Sequence, residues 1–77
     1  MELTLTFFGK LIEVAGNESI QFYSKATTMQ ELRKELIQTF PKLGTLTFQL
    51  AQNNKICLGK ATIKSDQIDI FPPFSGG

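Results

Sequence analysis

At 77 residues and 8.6 kDa the chain has material for one hydrophobic core, and at this size only roughly 60% of the unfolded surface is buried, so a deep enclosed substrate pocket is excluded and function belongs on the surface or at an end. With 42% hydrophobic and 19% charged residues it reads as globular, and no apolar run approaches the roughly 18 to 20 residues that span a bilayer, so no membrane partner is expected. Eight Lys and Arg against seven Asp and Glu, spread along the chain, leave no basic stripe for nucleic acid, and one cysteine with no histidine gives neither a metal cage nor an internal disulfide.

Residues Glu2 to Phe8 alternate, Leu3, Leu5 and Phe7 on one face and Glu2, Thr4, Thr6 and Phe8 on the other, which predicts a half-buried first strand. It opens with neither the basic flank nor the apolar run of a secretory leader, which points to a cytoplasmic protein. The stretch Gly9 to Glu18 reads as a long hairpin loop around the Gly16-Asn17 turn, in which Leu11, Ile12 and Val14 must find cover, and Ser19 to Tyr23 returns as a second strand.

Thr28 and Glu31 form the S/T-x-x-E capping signature, and Met29, Leu32, Leu36, Ile37 and Phe40 recur at helical spacing, with Gln30, Arg33, Lys34 and Gln38 facing outward. One amphipathic helix is predicted, ending near Phe40 because Pro41 follows. Leu43-Gly44-Thr45 serves as a connector. Leu46, Phe48 and Leu50 then alternate as a third strand, Asn53-Asn54 supplies a turn, and Lys55 to Leu58 makes a short pairing segment. Ser65-Asp66 is the last turn before Gln67 to Phe71, where Ile68 and Ile70 point one way and Gln67, Asp69 and Phe71 the other.

Strand, strand, helix, strand, short strand, strand is an α+β pattern, with one main helix covering a mixed sheet of four to five strands. It matches the ubiquitin-like β-grasp arrangement, in which the first and last strands lie side by side at the centre. Residues 1–71 are then the domain and 72–77 an extended tail, Pro72-Pro73-Phe74-Ser75-Gly76-Gly77.

Proline favours an extended path, while Gly76 and Gly77 have no Cβ and can thread a tunnel too narrow for ordinary side chains. The group such a tail presents is an α-carboxylate, ionised near neutral pH and able to attack the α-phosphorus of ATP inside an activating enzyme. The resulting acyl-adenylate accepts sulfur to give a thiocarboxylate, so covalent chemistry is carried on the tail. A diglycine end also arises by chance, and a binding module with no tail chemistry is the competing class.

Residues Ser65 to Gly77, an acidic turn, a hydrophobic strand, Pro-Pro, two residues and Gly-Gly, resemble the closing signature of the small subunits of molybdopterin synthase. Leu5 to Leu11 and the helix opening Thr28 to Arg33 are similar to that family as well. Ser65 departs from the usual Gly of the turn, and Gln52-Asn53 from a usual Val-Asn. The resemblance implies a sulfur carrier whose Gly77 becomes the thiocarboxylate, with Gly76 beside it. A ubiquitin-activating-like adenylating enzyme would spend ATP to charge it. A larger synthase subunit, expected in a heterotetramer, would supply the catalytic pocket, where a cyclic pterin precursor receives sulfur for the molybdenum cofactor; no cofactor is expected to stay bound to this chain. Carriers for thiazole synthesis or tRNA thiolation, and ubiquitin-like modifiers, share the diglycine.

Phe8 and Phe71 fall on the outward phase of neighbouring strands and Phe74 follows them, so with Pro72, Pro73 and Ser75 they form a candidate partner-binding surface. The alternative is that the loop around Leu11, Ile12 and Val14 folds over them as a minor core. Cys57, between Ile56 and Leu58 and with no evident cationic cluster, is expected to be a packed, inert thiol. Asp66 and Asp69 are either ion-pairing groups for an activating enzyme or solvated edges. Lys42, Lys55, Lys60 and Lys64 read as solubility charges.

Overall fold

A computed structural model describes residues 1–72 of the protein. In chain order the elements are β1 (Glu2–Phe7), a short helix α1 (Leu11–Ala15), β2 (Ser19–Tyr23), the main helix α2 (Met29–Thr39), a 3₁₀ turn (Pro41–Thr45), β3 (Gln49–Gln52), β4 (Lys55–Cys57) and β5 (Gln67–Phe71). The strands make one mixed sheet in the order β2-β1-β5-β3-β4, with β1 and β5 parallel and every other pair antiparallel. This is the β-grasp arrangement expected from the sequence.

The alternation in β1 and β5 decides where the core lies. Leu5 pairs with Ile68 and Phe7 with Ile70, and all four side chains are fully buried on the face that α2 covers with Met29, Leu32 and Leu36. Burying a side chain of this size contributes about 1.5–3 kcal/mol, so this layer carries most of the driving force for folding. The capping box holds the start of α2: Thr28 Oγ1 accepts from Glu31 N–H at 3.3 Å, and Glu31 Oε1 accepts from Thr27 N–H at 2.8 Å and Thr28 N–H at 3.2 Å. Those donors hold the Glu31 carboxyl below its ordinary pKa. Met29 N–H and Gln30 N–H find the carbonyls of Ala61 and Gly59, both at 2.9 Å, so the segment before β5 closes the helix start.

Three local expectations are corrected. The stretch between β1 and β2 is not a plain loop, because α1 occupies it, ended by Gly16 at φ 82°, whose N–H reaches Ile12 O at 2.9 Å. A single helical turn brings Leu11 into the core and lays Ile12 and Val14 against it. The third strand starts at Gln49, not Leu46. The 3₁₀ turn drops Leu43 into the core and leaves Leu46 exposed, while Phe48 and Leu50 are buried as the alternation requires. Arg33 is not simply outward: its guanidinium lies 4.3 Å from the centre of the Phe48 ring, and partial burial lowers its pKa.

The Asn53-Asn54 turn has both residues at positive φ, 53° and 63°, the geometry of a two-residue hairpin. Gln52, just before it, is buried and bridges to the chain ahead of β5. Its Nε2 donates to Thr62 O at 2.8 Å, and its Oε1 accepts from Lys64 N–H at 2.8 Å and Ser65 N–H at 3.2 Å. Ser65 is outside the left-handed region, and its Oγ accepts from Gln67 N–H at 3.1 Å. Both departures from the family pattern therefore belong to one hydrogen-bonded unit.

Candidate functional site

Because β5 lies between β1 and β3, its C-terminal end emerges from the middle of the sheet rather than from an edge. Phe8 extends the β1–β5 ladder by donating its N–H to Ile70 O at 3.0 Å. The rings of Phe8 and Phe71 stack with centroids 4.5 Å apart and planes 15° from parallel. Gly9 follows at φ 59° and turns the chain out of the sheet, so that Pro72 packs where a Cβ on Gly9 would lie, 3.2 Å from Pro72 Cγ. Beside this contact a cleft of about 590 Å³ runs between Lys10 and Leu11 on one side and residues 45–47 on the other, with Pro72 at its margin.

Phe8 and Phe71 lie together as the strand phases predict, and Pro72 continues from them. Pro73, Phe74, Ser75, Gly76 and Gly77 lie outside the described residues. The helix α1 does not fold over the aromatic pair as a second core: Leu11, Ile12 and Val14 serve the main core, from which Phe8 is absent, and Phe8 keeps 38% of its surface exposed.

Sequence reasoning missed Ile56 as a member of this face. Ala51 pairs with Asp69 in one direction and with Ile56 in the other, so Ile56 lies in the same outward row, 47% exposed. Ala51, Asn54, Ile56, Asp69 and Phe71 line a shallow depression of about 220 Å³. Leu58, two residues past Ile56, is 82% exposed. The missed signal was phase: Cys57 pairs with Leu50, whose side chain is buried, so Ile56 before it points the other way. Asp69 borders the depression, whereas Asp66 sits in the turn, its carbonyl accepting from Thr4 N–H at 2.7 Å.

Cys57 is half-buried, with Sγ donating to Lys55 O at 3.4 Å. A cationic grouping that the sequence does not make evident shares its cleft. Lys55, Lys60 and Lys64 line the same cleft of about 520 Å³ as Cys57, and no carboxylate is among the described residues that line it. Spacing in the sequence conceals this grouping, which arises when the chain between β4 and β5 folds back along the edge strand. The cleft is on the inward side of β4, since Lys55 pairs with the buried Gln52, and so is separate from the aromatic face. Among the described residues no helix is long and apolar enough to cross a membrane.

The profile of the ThiS family matches residues 5–77. A comparison with curated proteins found no match. Among solved structures, the chain is similar to SAMP1 from Haloferax volcanii at 24% identity, with all of both chains covered and a TM-score of 0.73. It is similar to a proposed molybdopterin converting factor, subunit 1, from Pyrococcus furiosus at 15% identity, over 96% of this chain and 99% of that one, with a TM-score of 0.83. The HVO 2177 protein of Haloferax volcanii is 28% identical over 100% of this chain and 87% of that one, with a TM-score of 0.78. At the lower two identities the likeness is one of fold.

Proposed function

Because the chain belongs to the ThiS family, we propose that it is a sulfur carrier working through the carboxyl group of Gly77, as the small, non-catalytic subunit of a molybdopterin synthase. One observation carries this reading: the central strand β5 ends beside an exposed aromatic stack, immediately before a sequence of two prolines and a diglycine. An aromatic face at the base of a slender tail lets one protein grip the domain while its active site takes the tip.

The chemistry balances without a catalytic residue on this chain. A carboxylate oxygen of Gly77 attacks the α-phosphorus of ATP in the activating enzyme, and pyrophosphate leaves. A sulfide-level sulfur nucleophile then attacks the acyl carbon and displaces AMP, giving the thiocarboxylate. In the larger subunit that sulfur attacks a carbon of the cyclic pterin precursor and displaces an oxygen leaving group there, and water then cleaves the resulting thioester at the acyl carbon, leaving the sulfur on the pterin and restoring the carboxylate. Two charged copies supply the two sulfurs of a dithiolene, in keeping with a heterotetramer. ATP belongs to the activating enzyme, and the cycle runs in the cytoplasm.

A second reading has its own support, since the same fold occurs in SAMP1 of Haloferax volcanii, a small archaeal modifier protein. As a modifier the activated Gly77 would be joined to lysine amines. Carriers for thiazole synthesis or tRNA thiolation differ only in the acceptor.

The deciding experiment incubates the full chain with its activating enzyme, ATP and a sulfide source, and reads intact mass. Exchange of one terminal oxygen for sulfur is expected, followed by loss of that sulfur on adding the large synthase subunit and the pterin precursor. Loss only to a thiazole or tRNA acceptor, or attachment to lysines, selects the other readings. Full rescue of cofactor synthesis by a chain lacking Gly77 would end the proposal.

A further inference from the structure

Gly9 and Gly16 are the glycines of positive φ among the described residues, at +59° and +82°, and their surroundings differ. A Cβ on Gly16 would meet nothing within 4 Å, so that glycine serves backbone geometry alone at the end of α1. On Gly9 a Cβ would come within 3.2 Å of Pro72 Cγ and 3.7 Å of Pro72 Cδ. The neighbouring contacts make a clasp. Phe8 N–H holds Ile70 O, the Phe8 ring lies on Phe71, and Gly9 meets Pro72, so two consecutive residues grip three consecutive residues at the exit of the tail.

We infer that Gly9 is a positioning residue for the tail: its bare Cα seats the Pro72 ring and so sets the direction of the chain at Pro72, where it leaves β5. The inference rests on the sulfur-carrier reading and adds to it a residue remote from the reacting carboxyl. A methyl group at position 9 pushes Pro72 by a few tenths of an ångström. Drawn straight into an enzyme, residues 73–77 make a lever at roughly 3.3 Å per residue, so a tilt of that origin shifts the terminal carboxyl by roughly 1 Å. A misplacement of about that size can cost up to about a hundredfold in rate. Docking through Phe8 and Phe71 is untouched by the tilt, so the loss falls on kcat.

The test is ATP–pyrophosphate exchange on the full chain with the activating enzyme of the same organism, with thermal melts of every variant. Gly9→Ala is expected to lower kcat about tenfold or more with KM within about twofold. Gly16→Ala, which carries the φ penalty without the contact, should leave both within about twofold. In a Pro72→Ala background the cost of Gly9→Ala should shrink to less than about twofold, because the seat then has no ring to displace. Equal losses for Gly9→Ala and Gly16→Ala, a loss confined to KM, or no coupling to Pro72 would overturn the inference. If Gly9→Ala does not fold, Pro72→Ala alone reads the contact from its other side, and an unchanged kcat overturns it. Absence of exchange with the unaltered chain sinks the carrier reading itself, a separate outcome.

Discussion

On the helix-covered face of the sheet Leu5, Phe7, Ile68 and Ile70 are buried completely, whereas on the opposite face Phe8 and Ile56 remain 38% and 47% exposed. β1 and β5 supply both faces, the inward residues of each strand alternating with outward ones such as Thr6 and Asp69, which pair across the open side. The period of two therefore divides the two faces: one phase of each strand holds the domain together, and the other carries the exposed residues to which the proposed docking is assigned. Substitutions on the two faces should separate stability from binding.

The largest effect is expected on the covered face. Leu36→Ala removes a fully buried side chain of α2 and should destabilise the domain by about 3 kcal/mol. That corresponds to a fall in melting temperature of roughly 12–24 °C. Affinity for the large synthase subunit, the partner proposed above, measured where the variant is still folded, should be unchanged; a parallel loss of binding would break the comparison.

Next comes Phe8→Ala, which removes one ring of the exposed stack. Calorimetric titration with the large subunit should show about 2 kcal/mol of lost affinity, roughly a thirtyfold rise in Kd. The cost in stability should stay near 1 kcal/mol, the scale of an aromatic pair. A Kd that does not move would reassign this face to folding alone.

The smallest effect sharpens the covered side and depends on pH. Hydrogen bonds from Thr27 and Thr28 lower the folded-state pKa of Glu31 below its ordinary 4.5. A depressed carboxylate pKa contributes stability above the unfolded value and loses it as pH falls through the folded value. Melting curves of Glu31→Gln should therefore lie slightly below those of the unaltered chain near neutral pH, and the gap should close as the pH is taken below about 4.5. A gap that persists under acid would assign the cap to geometry and not to charge.

The parts of the fold legible in the sequence are those with local signals long enough to repeat. Alternation over Leu3, Leu5 and Phe7, the Thr28–Glu31 box and the Asn53-Asn54 turn each appear where local chemistry puts them. The five residues of α1 are too few to display a helical period, and the descent of Leu43 into the core depends on the 3₁₀ turn after Pro41, so Leu46 looked like a strand residue. Of the candidate site, the Phe8–Phe71 pair followed from strand phase. Ile56 required knowing that Cys57 faces Leu50, and the Lys55, Lys60 and Lys64 grouping required the fold-back that only tertiary structure supplies. The chemistry of Gly76 and Gly77 was read from residue type and resemblance, and those residues lie beyond the described ones.

Gln52 ties two stretches of this chain together so that neither can be exchanged alone. Its side-chain amide holds three backbone groups, of Thr62, Lys64 and Ser65, which a valine could not hold. Splicing a valine-bearing hairpin onto this scaffold would thus strand those groups without their protein partner, even though valine suits a strand better than glutamine. In any chimera, positions 52 and 62–65 have to be inherited as a set.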